Sequence, residues 1–412
     1  MSTATAHDLS MRVAASLDAR NRLCATFFAR EAGRLAEACR EMADRFGRGG
    51  RLLAFGQGAR ATDAQHVAVE FIHPVIVGKR ALPALDLSIG FARWVDAILS
   101  PQDMVMGFGP PAGDPDVWRV LEAARARGAM TFALPAPASG SGSRLASQSG
   151  PGPEAGASYA VDAPTGDAFV HQEIIEMLYH TLWETVHVFF EHRSMGRDVG
   201  AAGFLYPFLG QEPPQPASVL ADVAASIQMK VQDDARLREQ VACEQADAIV
   251  QAALAMRERL TRGGKLLIFG NGGSATDAND WALDCVDPPH GFRQVPAISL
   301  ALEPAAVTAI ANDVGADVIF LRQLIAQAGP DDVAVAISTS GGSRNIIMAL
   351  DEARKRGLLT VALLGYDGGE IARRGLADVA VIVRSDYIPR IQEVQASIYH
   401  IIRELLEVLD HD

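Results

Sequence analysis

Long apolar runs are missing from this chain of 412 residues. No stretch approaches the roughly 20 consecutive apolar residues that a membrane-crossing helix needs, so the sequence reads as a non-membrane protein. Cysteine is scarce as well. Cys24, Cys39, Cys243 and Cys285 show neither a CxxC nor a paired spacing, which argues against a disulfide framework. They are expected to be reduced thiols packed as small apolar groups in a cytoplasmic protein. The opening residues Met1 to Asp8 are polar, and no secretory signal is expected there. Basic charge is in deficit: 37 Lys and Arg stand against 50 Asp and Glu, a formal net charge of −13. A nucleic-acid partner would favour a basic face, so none is expected.

What is present is most legible from Asp332 to Gly357, DVAVAISTSGGSRNIIMALDEARKRG. Val333 to Ile337 reads as a buried strand. Apolar residues at Ile346, Ile347, Ala349, Leu350 and Ala353 then mark a helix that ends at Gly357 behind a basic last turn. A second apolar strand, Leu358 to Leu364, follows at once, giving a strand–loop–helix–strand unit of a parallel sheet. Hydroxyls and glycines fill all six positions of the loop, Ser338-Thr-Ser-Gly-Gly-Ser343. Hydroxyls, adaptable backbone and the unpaired N–H groups of a helix start suit a phosphate. The plainer alternative is an ordinary turn with Ser343 as a helix cap.

The chain also repeats itself. RLLAFGQGARATDAQH lies over KLLIFGNGGSATDAND with a displacement of 214 residues, Lys265 over Arg51. PQDMVMGFGPPAGDPDVWRVLEAARARG lies over PDDVAVAISTSGGSRNIIMALDEARKRG with a displacement of 229, and HQEIIEMLYH over IQEVQASIYH with 220. The expected architecture is α/β: two tandem domains, each a parallel sheet flanked by helices, with two helices before each sheet and one long helix at each end. The domains are placed at 1–195 and 218–412, joined by an irregular Gly/Pro/aromatic linker at 196–217. Pro135 to Ala157, rich in Pro, Gly and Ser, is expected to be a mobile loop.

Matched positions carry different chemistry in the two halves. Half one has His66 and Glu70 four apart on one helix face, and Gln172 and His180 eight apart on its last helix. Imidazole, carboxylate and amide oxygen suit a metal such as zinc, although each residue alone reads as a surface pair or a core histidine. Half two keeps Gln392 and His400 but places Asp280 and Asp284 at the other two positions. Its first loop, Gly270-Asn-Gly-Gly-Ser274, lacks the spacing of a dinucleotide site.

The ordered set GNGGSATDA, AIANDVG, AISTSGGSRNIIMAL, LLGYDGGEIA and RIQEVQASIYHIIREL resembles the phosphoheptose isomerase group of sugar isomerase (SIS) domains. The resemblance spans nearly all of half two. Half one is similar more distantly, through its first loop and last helix. It implies two tandem SIS domains with flavodoxin-like sheets, and isomerisation of sedoheptulose 7-phosphate through an enediol, with a base, a partner acid and stabilisation of the enediolate.

Carried over by position, the family's zinc set falls on His66, Glu70, Gln172 and His180, with Glu70 and His180 also its proton-transfer pair. In half two the corresponding catalytic positions are Asp284 and His400. The phosphate and sugar positions are Asn271, Gly272, Gly273, Asn312, Asp313, Ser338, Thr339, Ser340, Ser343 and Gln392. In half one the cradle is replaced by Gly109-Pro-Pro-Ala-Gly-Asp114: the hydroxyls are gone, two prolines remove amide donors, and Asp114 is expected to repel phosphate. The resemblance further implies that the halves pair as an internal pseudo-dimer and that two chains form a pseudo-tetramer of SIS domains. The alternative it brings is a non-catalytic sugar-phosphate-binding regulator, similar to the SIS proteins that associate with the replication initiator DnaA.

Overall fold

The computed structural model describes residues 3–75, 79–137, 158–194 and 216–411. Most of the loop expected at Pro135 to Ala157 and nearly all of the linker expected at 196–217 lie outside the described residues. The first half runs α1 (Thr3–Gly47), β1 (Leu52–Gly56), α2 (Arg60–Ile72), β2 (Ala84–Asp86), α3 (Phe91–Ile98), β3 (Met104–Phe108), α4 (Pro115–Ala126), β4 (Met130–Leu134), β5 (Ser158–Ala160) and α5 (Ala168–Ser194). The second half runs α6 (Pro216–Glu244), α7 (Ala246–Thr261), β6 (Leu266–Gly270), α8 (Gly273–Val286), β7 (Ala297–Ser299) and α9 (Pro304–Asp313). After a 3₁₀ turn at Ala316–Val318 come α10 (Ile319–Gln327), β8 (Val333–Ser338), α11 (Arg344–Lys355), β9 (Leu359–Gly365), α12 (Gly369–Arg373), β10 (Val379–Val383) and α13 (Ile388–His411).

Each half carries a five-stranded parallel sheet with the same order, β2-β1-β3-β4-β5 and β7-β6-β8-β9-β10. This 2-1-3-4-5 order is the flavodoxin-like doubly wound arrangement. It reverses direction between its first and third strands, and ligands of such sheets lie beyond the carboxyl ends of the strands at that reversal. In the second half the reversal falls between β6 and β8, the two strands that precede the GNGGS and STSGGS loops.

Strand side chains alternate between two cores. Leu266, Ile268, Val333, Val335, Ile337, Val361 and Leu363 belong to one buried cluster, with Trp281 of α8. Leu267, Phe269, Ala334, Ala336, Ala362 and Leu364 belong to the other, with Ile346 and Leu350 of α11. Helices α8 and α11 therefore cover opposite faces of the sheet, and their N-termini meet at its carboxyl edge, where the strand order reverses. Leu52, Ala54, Met104, Met106, Phe132 and Leu53, Phe55, Val105, Ala133 divide the first sheet in the same way.

Two compact units result, Arg22–Asp233 on one side and Met1–Asn21 with Asp234–Asp412 on the other. The start of α1 belongs to the second unit, whose core includes Leu9, Val13 and Leu17. Part of α6 belongs to the first, through Val219, Val223, Ile227 and Val231. Where two helices were expected before the first sheet there is one, the 45-residue α1. Gly33 is its only internal glycine before the last residue and it contains no proline. The roughly 1 kcal/mol that a helical glycine costs relative to alanine is outweighed by packing on both sides of it.

Three of the four cysteines are buried as expected, but Cys243 is exposed. Burial pushes the Cys39 and Cys285 thiols up to about 12, which keeps them protonated and inert. A disulfide reagent should therefore titrate one thiol rapidly in the native protein, that of Cys243, and all four only after denaturation. Rapid reaction of two or more native thiols would contradict this packing.

Candidate functional site

The loops after β6 and β8 form the carboxyl-edge crevice of the second unit. The β8 loop is shaped by its own hydroxyls. Ser338 Oγ accepts the Gly341 amide at 3.1 Å, and Ser340 Oγ accepts that of Gly342 at 3.3 Å. Gly341 is required here: its φ is +58°, and an added Cβ would fall 2.2 Å from the Gly368 carbonyl oxygen. Gly272, on the β6 loop, adopts φ 58° and ψ −126°, a backbone closed to other L-residues, and opens α8. Ser343 occupies the N-cap position of α11, yet its side chain makes no capping bond. The ordinary-cap explanation of this serine is therefore not what the structure shows, and its half-buried hydroxyl borders the helix start. The first amides of a helix have no intrahelical partner; in α11 that of Ile346 is taken by the Asn345 side chain at 2.9 Å, which leaves those of Arg344 and Asn345 at the crevice edge. Gln392, near the start of α13, is 2% exposed and its amide oxygen has no hydrogen-bond partner. Asn312 and Asp313 stand at the exposed end of α9, their side chains bonded to each other at 2.8 Å. Just beyond them, Asp317 pairs with Arg344, the first residue of α11, at 2.9 Å.

Asp280, Asp284 and His400 come together in this unit. His400 Nε2 is 3.2 Å from Asp284 Oδ2 and 3.6 Å from Asp280 Oδ2, all three side chains being buried. Tyr399 donates its hydroxyl to Asp280 Oδ2 at 2.9 Å and stacks on Trp281. An imidazole between two carboxylates can hold and pass a proton, and their donor atoms, within 4.8 Å of one another, could also hold a cation.

The first unit assembles His66, Glu70 and His180. His66 Nε2 lies 3.3 Å from His180 Nε2 and 3.8 Å from Glu70 Oε1. Two nitrogens about 2.0–2.1 Å from a tetrahedral zinc would be about 3.4 Å apart, so these three donors fit such an ion. The fourth residue expected in the set behaves differently. Gln172 Oε1 accepts the buried guanidinium of Arg60 at 2.9 Å, and Arg60 also faces Asp63 at 3.6 Å. Arg60 replaces Ser274 of the second half, where the matching Gln392 oxygen is left unpartnered. Burial, reinforced by Arg60, pushes His171 down to about 3. It is thus neutral, and its Nε2 donates to the Gly109 carbonyl at 3.2 Å.

The half-one cradle is filled by its own side chain. Asp114 caps α4, accepting the amides of Asp116 at 2.8 Å and Val117 at 3.3 Å, while its other oxygen accepts Gln57 Nε2 at 2.8 Å. A carboxylate thus occupies the place that a phosphate would take at a helix start. Sequence reasoning recognised Asp114 but missed Gln57, Arg60 and, in the second half, Asn345. The substitution of Ser274 by Arg60 in the repeat alignment was the available signal for one of these.

Comparison with known proteins places the second half in a family. The SIS-domain family profile matches residues 231–365. The phosphoheptose isomerase of Solidesulfovibrio magneticus is 42% identical over 178 residues, 43% of this chain and 86% of that protein. That of Geobacter sp. strain M21 is 46% identical over 165 residues, 40% of this chain and 85% of that protein. The chain belongs to the phosphoheptose isomerase family of SIS-domain proteins, its C-terminal part carrying the close similarity. Over its whole length the likeness is one of fold. The C-terminal domain of glucosamine-fructose-6-phosphate aminotransferase from Francisella tularensis aligns with 93% of this chain and 96% of its own, at 10% identity and a TM-score of 0.50. Among the described residues no helix is long and apolar enough to cross a membrane.

Proposed function

We propose that the protein is a sugar-phosphate aldose–ketose isomerase of the sedoheptulose 7-phosphate type, with one working site per chain, in the second half. The observation that carries this reading is the β8 loop at the point of strand reversal: Ser338 to Ser343 supplies hydroxyls and helix-start amides, and Ser343 is not engaged as a cap. The phosphate end of the substrate would lie on Ser338, Thr339, Ser340 and Ser343. Asn271, Gly272 and Gly273 close one side, with Asn312, Asp313 and the unpartnered Gln392 left for sugar hydroxyls. His400 and Asp284 would move the proton between C1 and C2, in keeping with their 3.2 Å contact. In the first half His66, Glu70 and His180 would hold a divalent metal such as zinc, with Gln172 turned to Arg60. Such an ion, when bound, supplies Lewis acidity and fixes the orientation of its ligands.

A second reading, a non-catalytic sugar-phosphate-binding regulator, is favoured by one observation: His400 is enclosed by Asp280 and Asp284, and Asp280 already accepts the Tyr399 hydroxyl. A coupled assay for heptose 7-phosphate formation, with and without added zinc, separates the two. Turnover of sedoheptulose 7-phosphate is the expected result; tight binding without turnover would favour the regulator.

A further inference from the structure

The β6 and β8 loops are joined across the crevice by a pair of carboxamides. Asn271 Nδ2 donates to Asn345 Oδ1 at 3.0 Å, and Asn345 Nδ2 donates to Asn271 Oδ1 at 2.9 Å. Asn345 is the second residue of α11, and its Oδ1 also accepts the Ile346 amide at 2.9 Å. A side-chain amide has two N–H groups and two oxygen lone pairs. Both lone pairs of Asn345 are therefore occupied, one by the helix itself, which makes Asn345 the anchored member. Asn271 is exposed and uses only one N–H and one lone pair in the contact. Its remaining N–H and lone pair are held in a fixed plane, directed away from Asn345. The free N–H can donate to one sugar hydroxyl and the free lone pair can accept from another, since a hydroxyl both gives and accepts a hydrogen bond.

The first half supplies an internal control. By the repeat alignment Asn271 corresponds to Gln57 and Asn345 to Asp116. Gln57 is bonded to Asp114, and Asp116 pairs with Arg119 at 2.9 Å instead. The half that lost the hydroxyl-bearing loop has also lost the amide pair.

We propose that Asn345 is a positioning residue for the sugar part of the ligand: it fixes the Asn271 carboxamide so that Asn271 reads a hydroxyl next to the phosphate cradle. The inference rests on the sugar-phosphate reading above, and it predicts that Asn345 acts on the sugar and not on the phosphate. Calorimetric titration of the full chain with sedoheptulose 7-phosphate, and separately with inorganic phosphate, tests it in the wild type, Asn271→Ala, Asn345→Ala and the double variant. Asn345→Ala should weaken sedoheptulose 7-phosphate binding about five- to tenfold, the scale of a lost neutral hydrogen bond. Its affinity for inorganic phosphate should stay within about twofold, and the double variant should be no weaker than Asn271→Ala alone. Should Asn345→Ala fail to fold, Asn345→Ser carries the same comparison, because its hydroxyl can still serve the helix start but cannot reach Asn271. Wild-type binding with an unaffected Asn345 variant, an equal loss for both ligands, or additive losses in the double variant would overturn this inference alone. Absence of wild-type sedoheptulose 7-phosphate binding would overturn the sugar-phosphate reading, and the inference with it.

Discussion

Replacing Ser343 with aspartate should abolish sugar-phosphate binding while leaving the protein as stable as before, or more so. The two effects have opposite signs for a physical reason. Ser343 stands at the N-cap of α11 without a capping bond. Aspartate at an N-cap accepts helix-start amides and favours the positive end of the dipole, a gain of about 0.5–1 kcal/mol. The same carboxylate would face an incoming phosphate. Like charges about 4 Å apart at an effective dielectric of 20 repel by about 4 kcal/mol per charge pair, on the order of a thousandfold in affinity. The aligned residue in the first half, Asp114, already shows the outcome: it caps α4 with both the Asp116 and Val117 amides and holds Gln57. Thermal unfolding and calorimetric titration of Ser343→Asp check the two signs together. Loss of binding accompanied by a large loss of stability would mean that the loop had collapsed, not that a phosphate had been repelled.

The second large effect concerns His400. His400→Gln should lower isomerase turnover by about 10²–10⁴, the range for loss of a positioned general acid or base. Affinity for sedoheptulose 7-phosphate should change little. Glutamine is preferred to alanine because His400 lies beside two buried carboxylates, 3.2 and 3.6 Å away. Removing the donor altogether would leave Asp280 and Asp284 without it and cost about 3–5 kcal/mol of stability. The glutamine amide can still donate to Asp284 but cannot carry a proton. Equal falls in turnover and affinity would place His400 in binding. Unchanged turnover would remove it from the chemistry.

Much of this arrangement is legible in the residues. The displaced repeats locate the two sheets, and the clustered hydroxyls of Ser338 to Ser343 mark the loop proposed to hold phosphate. They do so because buried parallel strands are near-continuous apolar runs and because a glycine-rich loop between a strand and a helix has few other uses. The short strands β2, β5 and β7 are not legible. Three residues carry no period, and their place is set by pairing with neighbours such as Leu52 with Ala84. The single span of α1 is equally hidden, since a helix is divided by its packing and not by composition alone. At the site, Gln172 reads as a metal ligand from its spacing to His180, but its oxygen is taken by Arg60 from 112 residues away. The Asn271–Asn345 pair is separated by 74 residues and becomes visible only when β6 and β8 are adjacent. Contacts of this range depend on strand order, which local pattern does not contain.

In the proposed reading the chain has one working sugar-phosphate site, built by the second half. Calorimetric titration of the full-length protein with sedoheptulose 7-phosphate tests it most directly. About one molecule should bind per chain, the corresponding loop of the first half being filled by Asp114, and that binding should be lost completely in Ser343→Asp. Two molecules per chain, or binding that survives Ser343→Asp and disappears on mutation of the first half, would contradict it.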